Sequence, residues 1–193
     1  MPTQIASTAS TVRDRTLGTN VVHAQIAGGG GVRLHVAETG LSSGRPMLFI
    51  HGFSQSWLAW RRQLCSDLAD DFRLVALDLR GHGQSDKPGD GYADGGLWAE
   101  DLDAVIRELR LEQPLLCGWS YGPLVILDYL RRYGEAAIAG ASFVDALTKL
   151  GSEAALAALT PELLSLVPGL FSTEVDESVR SLEGLLRLCF VQT

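Results

Sequence analysis

The chain has 193 residues, of which 46% are hydrophobic and 20% are charged. This length fits one domain of roughly 100–200 residues, and the composition is too apolar for general disorder. Sixteen Lys and Arg against 23 Asp and Glu give a net charge of −7. Because nucleic acid is held by a broad positive field, we expect no nucleic-acid partner.

The sequence also indicates a soluble, cytoplasmic protein. Its three cysteines, Cys65, Cys117 and Cys189, are odd in number and widely spaced, which fits neither a disulfide framework nor a zinc site. Residues 1–20 are polar and lack the apolar core of a signal peptide, so we expect a flexible N-terminal tail there. No run approaches the roughly 18 apolar residues that a membrane helix needs, so no membrane partner is expected.

Two predicted strands follow this tail, at residues 21–26 and 32–38. Four consecutive glycines, at 28–31, lie between them. A phosphate-binding loop would lead directly into a helix, whereas here a second strand follows. Glycine accepts positive φ without strain, so we predict a β-hairpin.

From Pro46 onward, short apolar runs alternate with helical patterns. The apolar runs lie at 47–50, 74–77, 115–117 and 141–144. They are apolar throughout, as in a parallel sheet that is covered on both faces. Residues 57–68 and 97–109 have apolar positions every three to four residues, and 121–133 is apolar on nearly all sides at first, which predicts helices. The alternation predicts an α/β fold with a mostly parallel sheet.

The strand pattern stops after Asp145. Thr160 and Pro161 combine an N-cap hydroxyl with a proline at the first helical position. We therefore expect a core of six strands at residues 21–147, followed by a partial helical cap at 148–193 with two or three amphipathic helices.

The strongest chemical signal is the segment Gly118-Trp119-Ser120-Tyr121-Gly122. It follows an apolar strand and opens a buried helix, the context in which G-x-S-x-G marks a nucleophile elbow. The sharp turn strains the backbone of Ser120 and lifts its Oγ off the sheet, at the positive end of the helix dipole. We predict that Ser120 is a nucleophile. The alternative is an ordinary serine in a glycine-rich turn.

A second signal is His51-Gly52-Phe53, directly after the run at 47–50. In acyl transfer, the oxygen of the tetrahedral intermediate needs two N–H donors. The backbone N–H groups of Phe53 and Tyr121 are the natural pair for this oxyanion hole. The side chain of His51 is expected to support the loop rather than to act as a base.

A third signal is the sequence DLRGHGQS at residues 78–85, after the run at 74–77. Its glycines favour a compact loop, and Asp78 and Arg80 can pair with neighbouring backbone or with each other. We interpret this loop as structural support for the site.

With HGF, DLRGHGQS and GWSYG after successive strands, the sequence resembles the α/β-hydrolase superfamily, in its cofactor-free haloperoxidase, arylesterase and epoxide-hydrolase-like branch. The resemblance covers about residues 21–145. It implies an α/β-hydrolase fold of eight strands, no cofactor, no metal and a small ester-like substrate. Ser120 is similar to the esterase and perhydrolase members, whereas epoxide hydrolases and haloalkane dehalogenases carry aspartate at this place.

The chain lacks the base that this resemblance implies. In the superfamily the order along the chain is Ser, then Asp or Glu, then His. Here His23, His35, His51 and His82 all precede Ser120. We therefore expect impaired catalysis.

The acid of the triad stays open. Asp145 follows the run at 141–144, where some relatives place that acid, although a capping or loop role is the alternative. Only six of the eight implied strands precede the cap-like helices, so we expect a truncated chain. Its run at 141–144 would then be an exposed sheet edge through which the protein can associate with itself.

Two functions of different classes remain open. The first is a serine hydrolase of small apolar esters or related acyl substrates, which forms an acyl-enzyme on Ser120. Trp119 and Leu147 would line its apolar acyl pocket. The second is a catalytically inactive truncated or pseudo-hydrolase that binds a ligand or a partner.

Overall fold

The computed structural model describes residues 21–149, 153–157 and 159–189. The tail expected at residues 1–20 lies outside this part of the chain. Contacts divide the chain into one unit that ends at Thr148 and a second that begins at Lys149.

A six-stranded sheet forms the centre of the first unit. The strands are β1 (Val22–Ala27), β2 (Arg33–Gly40), β3 (Arg45–Ile50), β4 (Phe72–Leu77), β5 (Leu115–Trp119) and β6 (Gly140–Val144). They lie in the order β1-β2-β4-β3-β5-β6. Strands β4, β3, β5 and β6 are mutually parallel, whereas β2 is antiparallel to both β1 and β4. The predicted α/β fold with a mostly parallel sheet is confirmed.

The glycine run joins β1 and β2 as a tight turn. Gly29–Gly31 forms one turn of 3-10 helix in which Gly30 has a φ of +65°. The N–H of Gly28 donates to the carbonyl of Val32 at 2.7 Å. The predicted hairpin is therefore present, and a strand follows the turn.

The described residues contain seven α-helices, and the single helix predicted at 57–68 is instead a 3-10 turn followed by two short helices. In the first unit they are α1 (Arg61–Leu64), α2 (Leu68–Asp71), α3 (Gly95–Glu108) and α4 (Gly122–Tyr133), and in the second α5 (Glu153–Ala157), α6 (Pro161–Leu170) and α7 (Val175–Cys189). A 3-10 turn at Trp57–Trp60 leads into α1. Thr160 caps α6 as predicted, since its Oγ1 accepts from the N–H of Leu163 at 3.2 Å.

The middle of the sheet is covered on both faces, as its continuous apolar strands predict, whereas β6 is mostly exposed. On one face, α3 and α4 bury Leu102 and Ile126 against Leu48. On the other face, Trp57 and Trp60 pack around the middle of the sheet. The loops that follow β3, β4 and β5 therefore meet at the carboxyl edge of a rigid platform, which is where open α/β sheets bind ligands.

Strand β6 forms one edge of this sheet. Phe143 is 41% exposed and Val144 is 45% exposed. Self-association through this edge stays a prediction. No helix among the described residues combines the length and the apolar character that crossing a membrane requires.

Candidate active site

Ser120 occupies a strained turn between β5 and α4. Its φ is +54°, a conformation that costs a non-glycine residue free energy and that clusters at functional sites. Its N–H donates to the carbonyl of Val144 at 3.0 Å, and its carbonyl accepts from the N–H of Leu147 at 2.8 Å. Both main-chain groups of Ser120 are thus held by the end of β6 and the loop after it, which keeps the elbow in place.

The two glycines of the elbow are required by close approach. A Cβ at Gly118 would lie 2.7 Å from the backbone nitrogen of Pro123, and a Cβ at Gly122 would collide with the carbonyl oxygen of Ile50. Pro123 itself fits, because it lies in the first turn of α4, where a missing N–H is tolerated. The local sequence therefore folds as the G-x-S-x-G pattern predicts.

The loop after β3 lies against the elbow. A Cβ at Gly52 would be only 3.1 Å from the Cβ of Ser120. The rings of Phe53 and Tyr121 are 6.4 Å apart, and Tyr121 packs edge-on against Trp98 at 5.7 Å. Burial raises the pKa of the Tyr121 phenol, so this hydroxyl stays neutral. The structure thus brings together the segments that carry Phe53, Ser120 and Tyr121.

His51 lies beneath this loop and is fully buried. Its Nδ1 is 2.7 Å from the carbonyl oxygen of Gly52, and its Nε2 accepts from the N–H of Leu79 at 3.1 Å. Because a carbonyl can only accept, Nδ1 carries the proton and the ring is neutral. Burial lowers its pKa from 6.5 to about 4. The side chain supports the loop, as the sequence indicates.

Acidification from pH 7 to 4.5 is expected to destabilise the protein, because His51 takes up a proton in the unfolded state but stays neutral in the folded state over most of this range. A folded pKa of about 4 against 6.5 corresponds to about 3 kcal/mol, lost as pH falls from 6.5 towards 4. Urea unfolding across this range measures the loss, and His51→Gln should flatten the pH dependence. A free energy of unfolding that is constant from pH 7 to 4.5 would contradict this prediction.

The loop after β4 is organised around two buried acidic groups. Asp78 accepts hydrogen bonds from the backbone N–H of Trp57 and from that of Gln84, and pairs with His35. Arg80 does not pair with Asp78, which was one of the options the sequence left open. It forms a buried ion pair with Asp101 on α3, at 2.6 Å.

The histidines are engaged by groups other than Ser120. His35 has Asp78 at one ring nitrogen and His23 at the other, each at 2.8 Å. His51 bridges two backbone groups, and so does His82, whose nitrogens contact the carbonyl of Arg80 and the N–H of Ser54. His23 lies on β1, at the far edge of the sheet from β5. In the part of the chain that the structure describes, both ring nitrogens of His35, His51 and His82 therefore have hydrogen-bond partners other than Ser120.

The other predicted site residues lie around the elbow in different settings. Asp145 follows β6, is exposed, and has a φ of +45°. Leu147 contacts Ser120 through its backbone. Trp119 is half-buried and packs towards the face of the sheet that holds Trp60. A catalytic role for Asp145, and a pocket-lining role for Trp119 and Leu147, stay predictions.

A cleft of about 270 Å³ lies away from this elbow. It is lined by Gly95, Gly96, Asp128, Arg131 and Arg132. Its charged groups form ion pairs, such as Arg131 with Asp128 at 2.6 Å. Among the described residues, no cluster of three or more His, Cys, Asp or Glu side chains could hold a metal ion. Because Arg131 and Arg132 of the cleft are already paired with carboxylates, the elbow is the stronger candidate for chemistry.

Comparisons with known proteins agree with this fold. A sequence model of the alpha/beta hydrolase fold matches residues 45–187. AB hydrolase superfamily protein YisY of Bacillus subtilis is 38% identical over 105 residues, and epoxide hydrolase 1 of Caenorhabditis elegans is 39% identical over 106 residues. Among solved structures, the esterase RhEst1 of Rhodococcus sp. ECU1013 superposes with a TM-score of 0.76 at 41% identity, over 83% of this chain.

The matches cover only part of these proteins. Each of the two curated relatives is matched over 54% of this chain, which corresponds to 38% of the Bacillus protein and 26% of the nematode protein. The chain covers 59% of RhEst1. It therefore spans less than two thirds of the length of each.

Proposed function

This chain belongs to the alpha/beta hydrolase fold family, and from that premise we propose that Ser120 is the nucleophile of an esterase-type acyl transfer on small apolar esters. The observation that carries this proposal is the backbone of Ser120, held at a φ of +54° between β5 and α4 and next to the loop that begins at Gly52. The likeness to the esterase RhEst1 supports the ester class.

The chemistry follows from the arrangement of the elbow. The Ser120 Oγ would attack the ester carbonyl, its proton leaving to a base, and the carbonyl oxygen would take up negative charge. The N–H groups of Phe53 and Tyr121 would bind that oxygen. Collapse of the intermediate would release the alcohol, which takes up a proton, and leave the acyl group on Ser120. Water would then release the acid.

Serine at this position also separates this proposal from epoxide hydrolysis. An acyl group on a serine oxygen is an ordinary ester that water can cleave at its carbonyl carbon. The epoxide-hydrolase members that the sequence resembles carry aspartate instead. Although several matched relatives are named epoxide hydrolases, Ser120 favours the ester reaction.

We further propose that this 193-residue chain reacts slowly by itself. A serine hydroxyl is a weak nucleophile until a base accepts its proton. The imidazoles of His35, His51 and His82 are each bonded to other groups at both nitrogens. An oxyanion hole without a complete triad still provides roughly 10³–10⁴-fold acceleration over water, so slow turnover is the expected behaviour.

A fluorophosphonate probe tests the nucleophile directly. Because the reaction should be slow, we expect one probe per folded chain only with excess probe and a long incubation, located on Ser120 by mass spectrometry of peptides, and no label after Ser120→Ala. Ser142→Ala is the matched control, because Ser142 is an exposed serine on β6 and its loss should leave labelling unchanged. Labelling that survives Ser120→Ala, or none on well-folded protein, would contradict the proposal.

A second candidate function is ligand or partner binding without catalysis, as in a pseudo-hydrolase. The engagement of the described histidines by groups other than Ser120 favours it. Saturable binding of a non-hydrolysable ester analogue by a chain that the probe does not label would support this candidate over the first.

A further inference from the structure

Two histidines join the loops that follow β3 and β4. His51 directly follows β3, and His82 lies five residues after the end of β4 at Leu77. Because β3 and β4 are parallel neighbours, both loops leave the same edge of the sheet. The two imidazole rings meet edge to face, with centroids 5.1 Å apart. The pair therefore lies between the two loops and next to the elbow.

The hydrogen bonds of the two rings are reciprocal. His51 contacts the carbonyl of Gly52 in its own loop at 2.7 Å and the N–H of Leu79 in the other loop at 3.1 Å. His82 contacts the carbonyl of Arg80 in its own loop at 2.9 Å and the N–H of Ser54 in the other loop at 3.2 Å. Each ring therefore links its own loop to the backbone of the opposite one.

These partners fix the tautomers. A carbonyl oxygen can only accept and a backbone N–H can only donate, so each ring carries its proton on Nδ1 and has a bare Nε2. Both histidines must be neutral for all four bonds to form. We call this arrangement, the rings of His51 and His82 with their four backbone bonds, the histidine clasp.

The clasp holds the peptide groups on both sides of Phe53. The carbonyl of Gly52 and the N–H of Phe53 belong to one planar trans peptide and point in opposite directions. The carbonyl's bonds to His51 at 2.7 Å and to the N–H of Gln55 at 3.3 Å therefore set the direction of the Phe53 N–H. His82 holds the next peptide through the N–H of Ser54. Ser54 has a φ of +56°, an unfavourable value for a residue with a Cβ, so this peptide needs an external bond to stay in place.

We propose that His82 is a positioning residue that, with His51, sets the Gly52–Phe53 peptide in the orientation that an oxyanion hole requires. The proposal rests on the proposed function, because it assigns a purpose to the Phe53 N–H. Without the bond from His82 to the N–H of Ser54, the Phe53–Ser54 peptide is free to rotate, and the neighbouring Gly52–Phe53 peptide can rotate with it. A carbonyl, rather than the Phe53 N–H, can then face the reacting oxygen.

The charges around the clasp determine its response to pH. Burial lowers the pKa of His82, the carbonyl of Arg80 and the charge of Asp78 raise it, and Lys87 lowers it. Burial also lowers the pKa of His51, on which His82 acts in the same direction, while the Gly52 carbonyl and Asp78 oppose this effect. Both rings are therefore neutral at pH 7. As pH falls through the lowered pKa of His82, its Nε2 gains a proton and can no longer accept from Ser54.

The rate of Ser120 modification by the fluorophosphonate reports on the hole, because the phosphoryl oxygen occupies the place of the oxyanion. His82→Leu removes the acceptor, and we expect the rate to fall about 10- to 100-fold, since a lost oxyanion donor costs 10²–10³ and a displaced one less. His82→Gln keeps an acceptor that does not titrate. The labelling rate of this variant should stay within about three-fold of the wild-type rate at pH 7. The wild-type rate should fall at acid pH as His82 takes up a proton, and the variant should lack this part of the fall, called the acid limb below.

Gln84→Leu, an exposed change in the same loop, is the matched control and should leave the rate unchanged. Circular dichroism tests whether each variant is folded. If His82→Leu does not fold, the pH profile of His82→Gln decides the question. A folded His82→Leu that reacts within two-fold of the wild type, or a His82→Gln that keeps the full acid limb, would overturn the positioning role.

Nitrogen NMR of the wild-type imidazoles separates this proposal from the proposed function. A proton on Nδ1 and a bare Nε2 for both His51 and His82 are expected, whether or not the chain is an esterase, and a proton on Nε2 of either ring would refute the clasp. If the clasp is present and the wild type is not labelled, the proposed function fails and the purpose assigned to the clasp fails with it. If the wild type is labelled and His82→Leu reacts equally fast, only the positioning role fails.

Discussion

Replacing Arg80 with methionine is expected to lower the free energy of unfolding by about 3–5 kcal/mol, the cost of leaving one member of a buried ion pair without its partner. Arg80 is 1% exposed and Asp101 is completely buried. Two hydrogen bonds join them, from Nε to Oδ2 at 2.6 Å and from Nη2 to Oδ1 at 2.8 Å. Methionine has a similar length but no donor, so the Asp101 carboxylate would stay buried with its charge uncompensated.

The pair also holds the turn of the β1–β2 hairpin. Arg80 donates to the carbonyls of Gly29 and Leu97, and Asp101 accepts from the N–H of Gly29 at 2.8 Å. Removing the guanidinium therefore leaves buried carbonyls without a donor as well as the lone carboxylate. Because α3 carries Asp101, the loss should loosen both the hairpin and the helix.

Lowering the pH should reduce the loss of stability in Arg80→Met. Burial raises the pKa of Asp101 even beside Arg80, and without the arginine the pKa should rise further. A carboxyl group with a raised folded pKa binds a proton more tightly in the folded state, so the variant recovers stability relative to the wild type as pH falls towards that value.

Arg107→Met is the matched control for this prediction. Arg107 pairs with Asp103 on the same helix, α3, but is 66% exposed. A pair of this kind is worth about 0.3–0.5 kcal/mol. Urea unfolding at pH 7 should separate the two variants clearly. A loss below about 1 kcal/mol for Arg80→Met, or equal losses for both, would contradict the structural assignment.

The sequence predicted the parts of this protein that local chemistry determines. The elbow at Ser120 follows from two glycines at fixed spacing, a preceding apolar strand and a following apolar helix. The six strands were predicted from their apolar middles, although the structure extends them into polar ends. Strand β2 continues through Glu38 to Gly40, and β3 begins at Arg45. Polar residues at strand ends carry no apolar periodicity, so pattern analysis stops short of them.

The contacts that depend on distant residues could not be predicted. Arg80 and Asp101 are 21 positions apart and on different elements, and nothing near Arg80 in the sequence identifies its partner. The clasp is a similar case. His51 was expected to support its loop, whereas the role of His82 becomes visible only when two parallel strands place their loops side by side.

The contacts around Asp78 also join residues that are distant in the sequence, so they could not be predicted from it. They lead to the second large expected effect on stability. Replacing Asp78 with alanine is expected to cost about 3–5 kcal/mol, because it removes an acceptor shared by several buried donors. Asp78 is completely buried. It accepts from the N–H of Trp57 at 2.7 Å and that of Gln84 at 2.9 Å, and contacts Nδ1 of His35 at 2.8 Å. The carboxylate thereby links β2, the loop after β3 and the loop after β4.

The pKa of Asp78 gives the pH dependence of this effect. Burial alone would raise it, but the hydrogen bonds from His35, Gln84 and Trp57 outweigh burial and hold it below its usual value. A carboxyl group with a lowered folded pKa stabilises the protein above its unfolded pKa, near 3.9. The difference between wild type and Asp78→Ala should therefore retain this contribution down to about pH 5, with an added slope from His51 and His82, whose pKa values Asp78 raises. It should narrow below about pH 4, where the carboxylate takes up a proton.

Two further variants separate charge from hydrogen bonding. Asp78→Asn keeps one acceptor oxygen but turns an NH₂ group towards a donor. Its free energy of unfolding should therefore lie between that of the wild type and that of Asp78→Ala. Asp90→Ala removes an exposed carboxylate near the same loop and should change stability by less than about 0.5 kcal/mol. If Asp78→Ala costs no more than Asp90→Ala in urea unfolding, the carboxylate does not hold these loops.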